Sequence, residues 1–349
     1  MSSLVDSRLG VGVIGKGNVG RELLALLPPQ LNLVAAINTR SSLDAPGLLD
    51  ALASLPRAVL VDCTAASGHE ALYTAALRRG VHVVTANKKP FVAPLQARAA
   101  LLEAARSAQL RYETTVGAGL PVIEPLKDLV RTGDEVRLIE GCFSGTLGFL
   151  ASELSKGTPL SRAVTTAKEL GYTEPDPKED LAGFDVARKA LILAREVGLE
   201  LELGDVEVEP FVSLDAPLEA LDETTAERVR SQAAQGRVLR YLARVDVLAK
   251  RLSVGPRWVD LSHPAAQLRG TESLVTYTTR RYADYPMRIQ GPGAGAQVTA
   301  AGVLADVLAV ARGSSPPLTL SGARSAESKG VARRLHEPAS TPAFGFRSA

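Results

Sequence analysis

Between Gly171 and Lys189 the chain reads Gly-Tyr-Thr-Glu-Pro-Asp-Pro-Lys-Glu-Asp-Leu-Ala-Gly-Phe-Asp-Val-Ala-Arg-Lys. Glu174, Asp176, Glu179, Asp180 and Asp185 supply five carboxylates there, and Lys178, Arg188 and Lys189 three cations. Pro175 and Pro177 forbid a continuous helix through the first half, whereas Phe184 to Ala194 reads as an apolar helix. A stiff, charged loop feeding such a helix places a few ionised groups at the edge of a pocket. Their chemistry would be recognition of a charged small molecule and movement of a proton. Asp185 and Lys189 stand at i, i+4 on one face of the helix. By spacing alone they are equally an ordinary intrahelical ion pair, worth roughly a few tenths of a kcal/mol.

A second motif points to a nucleotide. Gly15-Lys16-Gly17-Asn18-Val19-Gly20 follows a buried apolar run and opens a helix. Gly15 would make the tight turn, Gly17 would let backbone approach a pyrophosphate, and Gly20 would allow close helix packing. The helix N-terminus adds N–H donors for the anion. The second strand ends Ile37-Asn38-Thr39-Arg40-Ser41-Ser42, without the acid that binds ribose hydroxyls in NAD enzymes. A guanidinium and hydroxyls suit a 2′-phosphate, so Arg40 favours NADP over NAD. Asp62-Cys63-Thr64-Ala65 and Thr85-Ala86-Asn87-Lys88-Lys89 lie at carboxyl ends of strands, which makes Thr64 and Lys88 candidates for the same site. Gly291-Pro-Gly-Ala-Gly295, ahead of the last helix, adds Gly295 to the candidate cofactor-binding set.

The elements that must position these groups follow from periodicity. Strands are expected over 10–15, 31–37, 58–61 and 81–85, alternating with helices over 21–27, 69–79 and 94–108. That alternation implies a parallel sheet covered on both faces. Further on, helices over 122–132, 160–170, 184–196 and 225–235 precede strands over 237–246, 252–260, 273–279 and 287–290. Consecutive strands of that kind suggest a mixed or antiparallel sheet carrying helices on one face, before a last helix over 298–311. Residues 313–349, rich in Ser, Pro and Arg, read as a disordered tail.

Bulk properties narrow the function classes. With 349 residues, 46% hydrophobic, one or two domains are expected. The net charge of +2, from 40 basic and 38 acidic side chains, gives no support for nucleic acid or an anionic membrane as partner. Cys63 and Cys142 are too few for a disulfide framework and fit a reducing compartment. The N-terminus lacks signal-peptide features, and no apolar run approaches the roughly 18 residues of a span. A cytoplasmic protein is expected.

Taken together, the motifs resemble the homoserine dehydrogenase family. The matching stretches are Gly15 to Gly20, Asp62-Cys-Thr64, Thr85 to Lys89, Thr115 to Glu124, Gly141 to Thr146, Gly171 to Lys189, His263 to Gly270 and Gly293 to Gly302. The resemblance implies an α/β fold, with an N-terminal Rossmann parallel sheet (residues 1–130, joined by a returning helix at 298–312) and an α+β substrate-binding and dimerisation domain with a mixed sheet (131–297). It implies reversible NAD(P)-dependent oxidation of L-homoserine to L-aspartate 4-semialdehyde, in threonine, isoleucine and methionine biosynthesis, by a homodimer. Lys189 would be the acid/base with Asp185 beside it, and Lys88 would bridge substrate and nicotinamide. Glu174, aided by Asp180, would take the substrate ammonium, leaving Asp176, Lys178, Glu179 and Arg188 as scaffold or surface. Glu113 and the carbonyls of Val116, Ala118 and Leu120 would hold sodium. The tail is too short for an ACT regulatory domain, and no aspartokinase is expected ahead of residue 1, so the resemblance is to a monofunctional form. A related amino-acid semialdehyde dehydrogenase and a catalytically silent NADP-binding sensor are the competing readings.

Overall fold

The structure is a computed structural model that describes residues 9–313. The tail expected over 313–349 therefore lies, beyond Gly313, outside the described residues.

The first part is a parallel sheet wound by helices. Its strands are β1 (Gly10–Ile14), β2 (Asn32–Ile37), β3 (Ala58–Asp62), β4 (His82–Thr85) and β5 (Leu110–Arg111), and its helices α1 (Asn18–Leu26), α2 (Ala45–Ala53), α3 (Glu70–Arg78), α4 (Lys89–Val92) and α5 (Leu95–Ala104). The spatial order is β2-β1-β3-β4-β5, every pairing parallel. The winding direction reverses between β1 and β3, the crevice at which doubly wound sheets bind ligands. β1 and β3 are buried along their whole length, as a sheet covered on both faces requires.

The second part begins with α6 (Ile123–Arg131), β6 (Val136–Cys142), α7 (Gly145–Ser155), α8 (Leu160–Glu169), α9 (Pro177–Leu181) and α10 (Phe184–Glu196). It continues with β7 (Glu207–Val208), α11 (Leu218–Ala233), β8 (Arg237–Asp246), β9 (Arg251–Asp260), β10 (Glu272–Thr279), β11 (Met287–Pro292) and α12 (Ala296–Ala311). The strands form one sheet ordered β11-β10-β6-β8-β9-β7, antiparallel except where β7 runs parallel to β9. The sheet is therefore mixed, as expected. α12 packs back against α1, with Val303, Val307 and Val310 buried among Leu9, Val11, Val13, Leu23, Val59, Val61 and Val84.

Several elements differ from the sequence expectation for local reasons. α1 begins at Asn18, inside the glycine motif, because Gly20 packs so closely on the Gly15 carbonyl that any Cβ would collide with it. α2 was not expected; its Ala-Pro-Gly start resembles a turn, but Asp44 caps it by accepting from Gly47 N at 2.8 Å and Pro46 sits in its first turn, where proline is tolerated. The supposed loop around Pro177 contains α9, with Pro177 as its first residue and Asp176 accepting from Lys178 N at 3.0 Å. α7 was also missed, and α11 starts seven residues ahead of Thr225.

α10 matches its expected span, and its start is fixed by one residue. Gly183 precedes it with φ 77°, a left-handed conformation, and a Cβ there would collide with the Tyr241 hydroxyl. That hydroxyl is held in place by donating to the Glu209 carbonyl at 2.7 Å. Gly183→Ala should therefore lower stability by about 1–3 kcal/mol. A urea denaturation midpoint unchanged from wild type would contradict this account of the helix start.

Candidate active site

α10 is buried almost all round from Ala190 through Arg195, and its first two turns carry the polar groups. Asp185 and Lys189 face each other along it, with Lys189 Nζ 2.7 Å from Asp185 Oδ2. Lys189 Nζ also donates to the Phe143 carbonyl at 2.8 Å, just past the end of β6. Lys88, at the carboxyl end of the parallel sheet between β4 and α4, donates to the other Asp185 oxygen. One carboxylate thus receives two ammonium groups from different parts of the chain.

Electrostatics follow from that sharing. Burial would raise the Asp185 carboxyl, but Lys189 and Lys88 outweigh it and hold the group well below the usual carboxylate range. Lys88 goes below the ordinary lysine value, chiefly through burial; the pull of Asp185 is opposed by the charges of Lys189 and Arg188.

These groups line a cavity of about 590 Å³ together with Glu174, Asp180 and Gly295. Glu174 N donates to Asp180 Oδ2 at 2.8 Å, so Asp180 shapes the loop that presents Glu174. Asp180 is raised above the ordinary carboxyl value by burial and by the nearby charges of Glu174 and Asp185, against the Glu174 N–H bond. Thr146, in the first turn of α7, donates to the Tyr172 carbonyl and ties that loop to the helix. Glu179 and Arg188, expected to be scaffold, also line the cavity. For Arg188 the signal was position: it is three residues after Asp185, a spacing that shares a helix face.

The bolt behind this arrangement is Arg195, whose side chain is fully buried. Its guanidinium donates to the carbonyls of Phe91 and Ala93, both at 2.8 Å, and of Leu201 at 2.8 and 3.0 Å. It also pairs with Glu202, whose other oxygen accepts from Leu95 N at 2.8 Å. The helix carrying Asp185 and Lys189 is thereby fastened to the segment that follows Lys88.

The remaining cofactor candidates sit on neighbouring loops rather than in the cavity. Lys16, Gly17 and Asn18 are exposed at the start of α1, and Val19 is half-buried. A Cβ on Gly17 would meet only open space, so nothing in the protein demands glycine there, whereas a pyrophosphate lying on the backbone would. Gly17 offers no side-chain cap, which leaves first-turn N–H groups of α1 for an anion. Asn38 shapes the next turn, its Oδ1 accepting from Arg40 N at 2.9 Å and its N donating to Ser41 Oγ at 2.9 Å, with the Arg40 side chain exposed.

Thr64 is held by a buried hub. Asp62 accepts from Thr64 N at 2.7 Å, from the Tyr73 hydroxyl at 2.5 Å and from Asn87 Nδ2 at 3.4 Å, and it pairs with His69 Nδ1 at 2.6 Å. Asn87 Nδ2 donates further to the Ala66 carbonyl at 2.8 Å, which joins the Thr64 and Lys88 loops. Burial pushes both thiols, Cys63 and Cys142, up to about 12, which makes them poor nucleophiles.

Glu113, Val116, Ala118 and Leu120 lie on a separate turn. The Glu113 carboxylate accepts from Val122 N and Ile123 N, both at 2.5 Å, and from Glu124 N at 2.8 Å, capping α6. Burial raises it to about 7 despite those bonds, with Asp306 adding to the rise. Among the described residues no cluster of three or more His, Cys, Asp or Glu is placed to hold a metal ion. A cation here would rest chiefly on backbone carbonyls, and Ala118, with φ 56°, bends the turn that carries them.

The parallel sheet with its glycine turn, joined to a charged cavity at the carboxyl ends of its strands, defines a dinucleotide-binding α/β protein of the dehydrogenase type. A sequence model described as homoserine dehydrogenase matches residues 121–308, and one described as the NAD binding domain of homoserine dehydrogenase matches residues 15–114. The chain is 39% identical to a homoserine dehydrogenase of Emericella nidulans, over 86% of this chain and 97% of that protein. It is 40% identical to a chloroplastic bifunctional aspartokinase/homoserine dehydrogenase of Zea mays, over 87% of this chain and 38% of the relative, so it spans well under half of that longer protein. A Candida auris protein of unknown function has a similar crystal structure, with a TM-score of 0.77, 36% identity and coverage of 86% and 98% of the two chains. The chain belongs to the homoserine dehydrogenase family.

A carboxyl held below its ordinary 3.8, as Asp185 is, contributes stability that is present above about pH 4 and is lost as the pH falls. The melting temperature of the wild type should therefore drop more steeply than that of Asp185→Asn from about pH 5 to about pH 3. Parallel curves would contradict the strong ionisation of Asp185.

Proposed function

We propose that the protein is a homoserine dehydrogenase that interconverts L-homoserine and L-aspartate 4-semialdehyde with NADP. The observation that carries this reading is the meeting of Lys88 and Lys189 on Asp185 in a cavity faced by Glu174. Glu174 takes the substrate ammonium, and Asp180 fixes the loop that presents it. NADP, when bound, supplies the hydride acceptor. Lys189, held between Asp185 and the Phe143 carbonyl, orients the substrate hydroxyl. Once it has released its own proton to solvent, its neutral amine accepts the hydroxyl proton during oxidation, and the ammonium returns a proton during reduction. Asp185 keeps the two lysines on the reacting end. A second reading gives the proton to Lys88, whose proton affinity burial in this site lowers.

Gly15 to Gly20, Thr64, Lys88 and Gly295 would hold the nucleotide, with Arg40 on the 2′-phosphate in place of the acid typical of NAD sites. Sodium would bind Glu113, whose carboxylate also caps α6, and the carbonyls of Val116, Ala118 and Leu120. We read residues 1–130 with α12 as the nucleotide domain and 131–297 as the substrate and dimerisation domain of a homodimer. Cytoplasmic residence fits two free cysteines, and among the described residues no helix is long and apolar enough to cross a membrane.

The deciding assay follows L-homoserine oxidation with NADP and with NAD, each with and without sodium. Turnover is expected with both nucleotides, faster with NADP, and stimulated by sodium. Absence of homoserine-dependent NADPH or NADH formation would sink the proposed activity, and a panel of other amino alcohols would then identify a related substrate. Lys189→Ala should retain NADP binding while kcat falls by about 10²–10⁴-fold. A smaller loss than that of Lys88→Ala would move the proton to Lys88.

A further inference from the structure

Three cations line the cavity: Lys88, Arg188 and Lys189. Lys88 and Lys189 both pair with Asp185. Arg188 is different. It is half-buried, and among the described residues its guanidinium forms no hydrogen bond or ion pair. Its charge is nevertheless felt at the reacting end, where it disfavours the protonated form of Lys88. A guanidinium partly withdrawn from water with no counter-ion is an unfavourable state that an anionic ligand relieves.

The substrate class supplies that anion. An α-amino acid with a side-chain hydroxyl brings an ammonium, a hydroxyl and a carboxylate. The first two have partners in the reading above, Glu174 and the Lys88–Asp185–Lys189 group. The third has none. We propose that Arg188 binds the substrate α-carboxylate and so makes the site select an amino acid over an amino alcohol.

The spacing suits this role. Residues three apart on a helix have Cβ atoms about 5–6 Å apart, and Arg188 is three residues beyond Asp185. Four bonds of about 1.5 Å separate the carboxylate carbon of homoserine from its hydroxyl oxygen, so the two ends are within about 5 Å of each other. A carboxylate on Arg188 thus leaves the hydroxyl near Asp185 and Lys189. The planar guanidinium can grip both carboxylate oxygens, which a lysine cannot do. With the ammonium on Glu174 across the cavity, three fixed points also distinguish the L from the D enantiomer.

The inference rests on the proposed homoserine reading, and binding measurements separate the two. Calorimetry on the protein–NADP complex would compare L-homoserine with L-homoserine amide, whose neutral amide replaces the carboxylate. The wild type should bind homoserine about 10–100-fold more tightly than the amide. Arg188→Gln should reduce that ratio to about twofold or less while NADP affinity is kept, and KM for homoserine should rise more than kcat falls. Arg188→Lys, which retains the charge without the fork, should restore part of the ratio and provides the test if the glutamine variant does not fold. An unchanged ratio in either variant would overturn the proposal and assign the carboxylate to the N-terminus of α7, where Ser144, Gly145 and Thr146 line the same cavity. A wild type that prefers the acid to the amide yet does not oxidise it would overturn the reaction while leaving Arg188 standing. A wild type without that preference would overturn Arg188.

Discussion

Two lysines share Asp185, and the site is arranged around that single carboxylate. Without it, half-buried ammonium groups from two regions of the chain would face each other with nothing between them, a repulsion that grows as water is excluded. With it, the end of the parallel sheet and the first turn of α10 are drawn together at the point where a nucleotide and a substrate would meet. The supporting features serve that contact. Gly183 allows α10 to begin where Asp185 meets Lys88, the Phe143 carbonyl fixes the far side of Lys189, and Arg195 holds the same two segments together below.

Much of this was legible in the sequence, because the determining signals were local. The glycine turn, the apolar strands β1 and β3 and the limits of α10 each depend on a short stretch whose pattern has one structural solution. Asp185 and Lys189 could be placed on one face by counting. What sequence could not supply was the partner across the cavity: the contact between Lys88 and Asp185 spans 97 positions. Elements were missed where residue type and position conflict. Proline and glycine suggested turns at the starts of α2 and α9, yet each start is stabilised by an aspartate accepting a backbone N–H. The carboxylate of Glu113, read as a cation ligand, also caps α6, a role set by how the chain folds back and invisible in the turn itself.

The charge-rich stretch that begins at Gly171 brings both of its halves to the cavity. The part before α10 contributes Glu174, Glu179 and Asp180, and α10 adds Asp185, Arg188 and Lys189, so one continuous segment presents both signs there. Asp180 illustrates a middle role. Its oxygen holds the backbone of Glu174, so the carboxylate proposed to meet the ligand is positioned by another that does not need to.

The Asp62 hub has a consequence for the cost of binding. Loops at the ends of strands are usually where a protein is least ordered, and a ligand that fixes them loses affinity to the lost freedom. Here one fully buried carboxylate gathers Thr64, His69, Tyr73 and Asn87, and through Asn87 the backbone of Ala66, so both loops are already restrained before any nucleotide arrives. Little entropy is left to be removed there. Association would resemble the seating of a rigid plug in a finished socket, its speed governed by diffusion and charge rather than by waiting for loops to settle.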